Sequence, residues 1–276
     1  MKTILSLQSQ VAGAFVGNSV ACFAMERLGV RVIALPTVIL GRRPDRGPPG
    51  GGPMPLAMLS SAMDALEADG AFARVDAVLT GYLGAPDQAD LVLDMVQRVK
   101  AANAQAFYVC DPVLGDAGGF FVSDEIAHAM MQKLVPAADL ITPNAWELET
   151  IAGQPVTNLK DMRAAARSLG KPVLVTSAPS QTGAAAAYVA GQTAWLVETP
   201  RAPNAPKGTG DLFTALFLAQ RLNGRSIAIA LEAAAGATYD VIIRSLLIGD
   251  GNLAVIEAQD KLVEPDTWPT ALLLGD

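Results

Sequence analysis

"TILSLQSQVAGAFVGNSVACFAMERLGVRVIALPTVI", residues 3–39, reads as a strand, a helix and a second strand. The run at 3–8 is apolar and β-rich, residues 17–28 follow a helical pattern, and 31–39 is β-rich again. Strands joined by a helix-length crossover run parallel. The alternation continues with strand patterns at 76–80, 106–111, 139–142, 172–177 and 183–189. Helix patterns lie at 55–69, 86–103, 124–135, 144–152, 158–169, 211–223 and 225–247, with Asn223-Gly224 as a stop signal. Several strands are apolar on both faces. The expected fold is therefore α/β, with a mostly parallel central sheet covered by helices. No repeat or linker divides the chain, so residues 1–276 are expected to form one domain. One segment breaks the rhythm: "GRRPDRGPPGGGP", 41–53, suits neither a helix nor a central strand and reads as a mobile loop or flap over the sheet.

Composition narrows the function. The 276 residues are 51% hydrophobic and 17% charged, enough for a large core. A net charge of −7 argues against a nucleic-acid or anionic-membrane partner, because both need a basic face. Cys22 and Cys110 form no C-x-x-C, and His128 is the one histidine, so no zinc spacing exists. Free thiols in a reducing cytoplasm are expected. The N-terminus lacks a signal-like apolar region. The nearest approach to a membrane span, 227–243, carries Glu232 and Asp240.

In a parallel sheet, ligands sit outside the carboxyl ends of the strands. Those ends carry Gln8-Ser9-Gln10, Gly81-Tyr82, Asp111-Pro112, Thr142-Pro143-Asn144 and Thr176-Ser177. Farther on, "KGTGD" (207–211) opens a long apolar helix pattern. No G-x-x-x-x-G-K-[ST] is present, which excludes a Walker-type site. Gly208-Thr209-Gly210 can turn tightly and aim consecutive N–H groups at an anion at the positive helix end. Asp211 beside that anion suits general-base work in phosphoryl transfer to an alcohol. Read alone, these residues are equally a turn and an N-cap. "VCDPVLGD" (109–116) adds Asp111 and Asp116, and "TPNAWELE" (142–149) adds Asn144 and Glu147. Separately, Asp-Pro is a turn starter and Asn144 with Glu147 a capping box. Together, acids at successive strand ends fit a magnesium site. Thr176 and Ser177 could donate hydroxyls to nucleotide phosphates.

"LSLQSQVAGAFVGNSVACFAMERLGV" (5–30), "LTGYLG" (79–84), "VCDPVLGD", "ITPNAWELE" (141–149), "VLVTS" (173–177) and "KGTGDLFTALFLA" (207–219) together resemble the pyridoxal kinase branch of the ribokinase-like superfamily. The resemblance covers nearly the whole chain. It implies a ribokinase-like three-layer sandwich and ATP-dependent phosphorylation of the 5′-hydroxymethyl group of pyridoxal, pyridoxine or pyridoxamine, a salvage route to pyridoxal 5′-phosphate. It also implies Mg²⁺, often a monovalent cation such as K⁺, and a homodimer. By motif, Asp211 matches the catalytic base and Gly208, Thr209 and Gly210 the anion hole. Asp111, Asp116 and Glu147 match the metal region. Asp111, Asn144, Thr176, Ser177, Lys207 and Thr209 match nucleotide contacts. Ser9 and Tyr82 match the vitamin pocket.

Departures cluster on the vitamin side. Gln10 stands where the family has His, and Arg42, Arg43, Pro44 and Arg46 replace the flap's usual Thr, His and Tyr groups. Gln10, Arg43 and Arg46 are therefore candidate substrate contacts. Besides a B6 kinase with a looser flap, two alternatives stand: a kinase for an anionic small alcohol, since guanidinium pairs with phosphate or carboxylate, and a B6- or nucleotide-binding protein with little turnover. Asp211 speaks against the last, because a binding module needs no base beside an anion hole.

Overall fold

The computed structural model describes residues 1–275. In chain order the elements are β1 (Thr3–Val11), α1 (Asn18–Arg27), β2 (Arg31–Leu40), a 3-10 turn at Pro44–Arg46, β3 (Gly51–Pro53), α2 (Leu56–Ala68), β4 (Ala77–Thr80), α3 (Gln88–Ala102) and β5 (Phe107–Cys110). A small hairpin, β6 (Gly115–Asp116) and β7 (Gly119–Phe120), precedes α4 (Asp124–Ala129). A π-helical turn at Met130–Leu134 carries α4 into α5 (Val135–Ala137). There follow β8 (Leu140–Ile141), α6 (Ala145–Ala152), α7 (Leu159–Ser168), β9 (Val173–Ala178), β10 (Ala184–Ala190), β11 (Thr193–Thr199), α8 (Thr209–Leu222), α9 (Ile227–Ile248) and β12 (Leu272–Leu273).

The main sheet has 10 strands in the order β12-β11-β10-β9-β8-β5-β4-β1-β2-β3. From β2 to β9 every pairing is parallel. Side chains alternate between the faces. Ile4, Leu79 and Val109 pack with residues of α1, α8 and α9, while Leu5, Val78 and Tyr108 pack with Met63 of α2, Val92 of α3 and Met162 of α7. The result is the expected three-layer α/β sandwich. Burial on both faces is why these strands read as continuous apolar runs.

The sheet departs from the sequence expectation at its edges. Residues 183–189 do not extend the parallel series: β10 runs antiparallel to β9 and to β11. The β10–β11 connection is only Gly191-Gln192, with Gly191 at φ +55, and so short a link permits only a hairpin. The flap is also shorter than 41–53, because β3 pairs antiparallel with β2 as an edge strand. Gly51, at φ +78, leaves no room for a Cβ, which would lie 2.0 Å from the Ile39 carbonyl oxygen. Pro53 is tolerated there because an edge strand needs no outward donor. Cys22 and Cys110 are free thiols, and burial pushes both up to about 12. No described helix is long and apolar enough to cross a membrane.

Candidate active site

The carboxyl ends of β1, β5, β8 and β9 converge on the N-terminus of α8 at a point where the strand order reverses around β1. Gly208 caps α8 in the left-handed region at φ +99, and a Cβ there would lie 2.4 Å from the Phe15 carbonyl oxygen. Glycine at 208 therefore lets the helix end approach the 12–17 loop. A turn at Lys207-Gly208 leads into α8, so the N–H groups of Thr209, Gly210 and Asp211 cluster at the positive end of the helix. Asp211, in the first turn, accepts the Gly17 N–H through Oδ2 at 2.9 Å.

Buried carboxylates dominate the electrostatics. Asp111 and Glu147 are 6% and 4% exposed. Burial raises the Asp111 carboxyl well above its ordinary range, with Asp211 and Glu147 pushing the same way. Burial raises Asp211 to about 6, opposed by the Gly17 N–H. Glu147 rises to about 7, again through burial, although the N–H groups of Asn144, Leu114 and Gly115 oppose the shift. Among the described residues none of the three has an ion-pair partner, so a cation would relieve real repulsion here. Thr142 Oγ1 is buried beside Asp111, where it favours the ionised carboxylate against the burial that raises it.

Several predicted residues are committed elsewhere. Glu147 Oε1 accepts Leu114 N–H at 2.9 Å and Gly115 N–H at 3.2 Å, and Oε2 accepts Asn144 N–H at 2.8 Å. Asn144 Oδ1 accepts Glu147 N–H at 2.9 Å, and its Nδ2 donates to Gly115 O at 2.7 Å. This pair forms the capping box of α6 and braces the β6 loop. Asp116 faces Lys207 Nζ at 2.5 Å, and Lys207 also sits 5.0 Å over the Phe121 ring. Asp116 thus stands with Lys207 rather than with Asp111, and among the described residues no group of three acids, histidines or cysteines is placed to hold a metal directly. Ser177 Oγ accepts the Ala145 N–H at 3.2 Å. Thr176 does face the glycine segment, its Oγ1 lying 4.0 Å from where a Cβ on Gly210 would stand.

At the β1 end of the cleft, Ser9 is buried at a bulge, and a Cβ on Gly17 would lie 2.3 Å from its Oγ. Ser9, Gly17 and Asp211 are therefore neighbours. Tyr82 packs beside Val11, Ala14, Val38 and Leu40. Gln10 Nε2 donates to Ser19 Oγ at 3.0 Å and lines a cavity of about 430 Å³ with residues 11–15, Ser19 and Asn252. Arg43 and Arg46 both hold contacts within the chain. Arg43 forks onto Asp45 and donates to Gly251 O, while Arg46 donates to Asp250 O. Arg43 is thereby buried and paired, whereas Arg46 keeps an exposed guanidinium. The sequence reading gave no role to Gly17, although it lies in the 5–30 stretch that carries the resemblance, or to Asn252, which carries no motif.

A family model described as phosphomethylpyrimidine kinase matches residues 24–256. Pyridoxal kinase PdxY of Corynebacterium diphtheriae is 41% identical over 271 residues, covering 95% of this chain and 96% of the relative. Pyridoxal kinase PdxY of Rubrobacter xylanophilus is 39% identical over 272 residues, covering 95% and 94%. A pyridoxal kinase from Leishmania donovani in complex with ADP and pyridoxamine superposes with a TM-score of 0.93 at 26% identity, covering 100% of both chains.

Proposed function

This chain belongs to the phosphomethylpyrimidine kinase family, in its pyridoxal kinase branch, and from that premise we propose how it phosphorylates the 5′-hydroxymethyl group of a B6 vitamer with ATP. The observation that carries the reading is buried Asp211 in the first turn of α8, beside the amides of the helix end. The acceptor enters on the Ser9 and Tyr82 side, its hydroxyl toward Asp211. Asp211 takes the hydroxyl proton as the oxygen attacks the γ-phosphorus and the bridging oxygen leaves with ADP. The amides of the Gly208–Asp211 turn hold the equatorial oxygens of the moving phosphoryl. The Gly17 N–H keeps the base oriented and ionised. Thr176 and the Thr142 hydroxyl face the phosphates, and Lys207 flanks them from the opposite side.

A divalent cation, Mg²⁺ in this reading, supplies charge neutralisation of the triphosphate when bound. Asp111 would hold it, mostly through water, because the donor set offers one uncommitted buried carboxylate rather than a cage. The anionic pull of Asp111, Glu147 and Asp211 supports that placement. A monovalent cation such as K⁺, cytoplasmic residence and a homodimer belong to the same reading. Exposed Ile39, Leu56 and Met58 around β2 and α2 support a covered face there.

The test is incubation with Mg-ATP and each of pyridoxal, pyridoxine and pyridoxamine while 5′-phosphate is followed. Turnover of at least one vitamer is expected. ATP hydrolysis with no vitamer phosphorylated, or vitamer binding with no transfer, would overturn the assignment.

A further inference from the structure

We propose that Arg43 and Arg46 are positioning residues that clasp the flap to the 249–252 turn and so fix Asn252 against the cavity that Gln10 and Ser19 line. The inference builds on the phosphotransfer reading above. Arg43 is 9% exposed although Arg42, Pro44 and Asp45 beside it are open to solvent. Its Nε and one terminal nitrogen fork onto Asp45 at 3.0 and 2.8 Å, and the other nitrogen donates to Gly251 O at 3.3 Å. Arg46 donates to Asp250 O at 3.1 Å. Two arginines of one loop thus grip consecutive carbonyls of one turn.

That turn follows Gly249, the C-cap of the 22-residue α9, where the helix dipole favours cations. Gly251 is built for the contact. It lies at φ +74, and a Cβ there would stand 2.5 Å from the Arg46 guanidinium. On its other side the turn presents Asn252 to the cavity that Gln10 and Ser19 line, with Asn252 Oδ1 buried and unpartnered. Shifting the turn shifts that amide. Asp45 also feels Lys207, after the stronger influence of Arg43, so the clasped flap faces the residue that precedes the anion hole. Arg43, Asp45, Lys207 and Asp116 then alternate in charge across the cleft mouth. Lysine cannot reproduce the fork onto Asp45 while also reaching Gly251.

The experiment compares wild type with Arg43→Ala/Arg46→Ala, Arg43→Lys and Gly251→Ala. Amide hydrogen exchange is read on peptides covering 41–53, 249–252 and, as a remote reference, 159–168. KM is measured separately for pyridoxal and for ATP. In the double variant and in Gly251→Ala, exchange at 41–53 and 249–252 should quicken about tenfold or more, with 159–168 unchanged. KM for pyridoxal should rise about tenfold and KM for ATP stay within about twofold, with Arg43→Lys in between. Unchanged exchange in the two segments, or equal rises in both KM values, overturns the clasp. If wild type fails to turn over pyridoxal, the kinase reading falls alone, because the exchange measurement still decides whether the clasp exists.

Discussion

Asp211 is held between opposing influences. Burial lifts its carboxyl to about 6, and the Gly17 N–H pulls it back down. A base is effective only when ionised, so kcat/KM for the vitamer should rise with pH through an acidic limb near 6 and level off above it. Asp111 and Asp211 repel each other, so the limb belongs to the pair rather than to either residue. Asp211→Asn should lower kcat by about 10²–10⁴ while leaving ATP affinity nearly unchanged. Steady-state rates and calorimetric ATP binding check this, and equal losses in both would make the residue structural. Asp211 was legible in "KGTGD", because glycines before a helix announce an anion site and the acid announces chemistry. Its partner was not. Gly17 lies 194 residues away, and a glycine before α1 looks like any other helix start. The flap arginines were legible as charge but not as contacts, since nothing in "GRRPDRGPPGGG" shows that residues 250 and 251 will meet them.

Helix ends carry most of the site, so its next tests belong to elements. Gly208→Ala puts a methyl 2.4 Å from Phe15 O in a backbone region that alanine rarely adopts. The end of α8 must then retreat from the 12–17 loop, carrying its amides off target. We expect kcat to fall by about 10² or more, in line with losing an oxyanion donor, while the circular dichroism spectrum stays that of wild type. A wild-type rate in Gly208→Ala would mean that the amides do not hold the phosphoryl. At α6 the capping reading of Asn144 and Glu147 is realised, with both Glu147 oxygens bracing α6 and the β6 loop. Spacing alone could not decide this, because a capping box and a carboxylate ligand use the same residues. Glu147→Gln turns a donor toward one of those N–H groups and should cost about 1–3 kcal/mol. Urea denaturation would read that loss, and unchanged stability would release Glu147 for a ligand role.

Across the whole molecule, the parallel centre was readable because two-sided burial imposes apolar runs on β1, β4 and β8. The edges were not, since the sense of β10, β11 and β12 depends on hairpin geometry and β12 is only Leu272–Leu273. The placement of Asp111, Glu147 and Asp211 at the middle of that sheet has a global consequence. Glu147 and Asp211 bind protons more tightly folded, near 7 and 6, than their ordinary values of 4.5 and 3.8 allow in the unfolded chain. The native state therefore holds more protons than the unfolded state between about pH 4 and pH 7, and stability falls as pH rises through that window. Asp45 and Asp116, held low by Arg43 and Lys207, act the other way only below it. The metal-free protein should accordingly melt at a higher temperature at pH 5 than at pH 8. Asp211→Asn should narrow that gap. Mg²⁺ with ADP should narrow it from the other side, by stabilising the protein more at pH 8, where the carboxylates are ionised and attract the cation. Thermal denaturation at the two pH values, with and without Mg-ADP, measures all of these shifts. A metal-free protein that melts higher at pH 8, or a pH gap that Mg-ADP widens, would mean that the buried acids are not the charge that the cation answers.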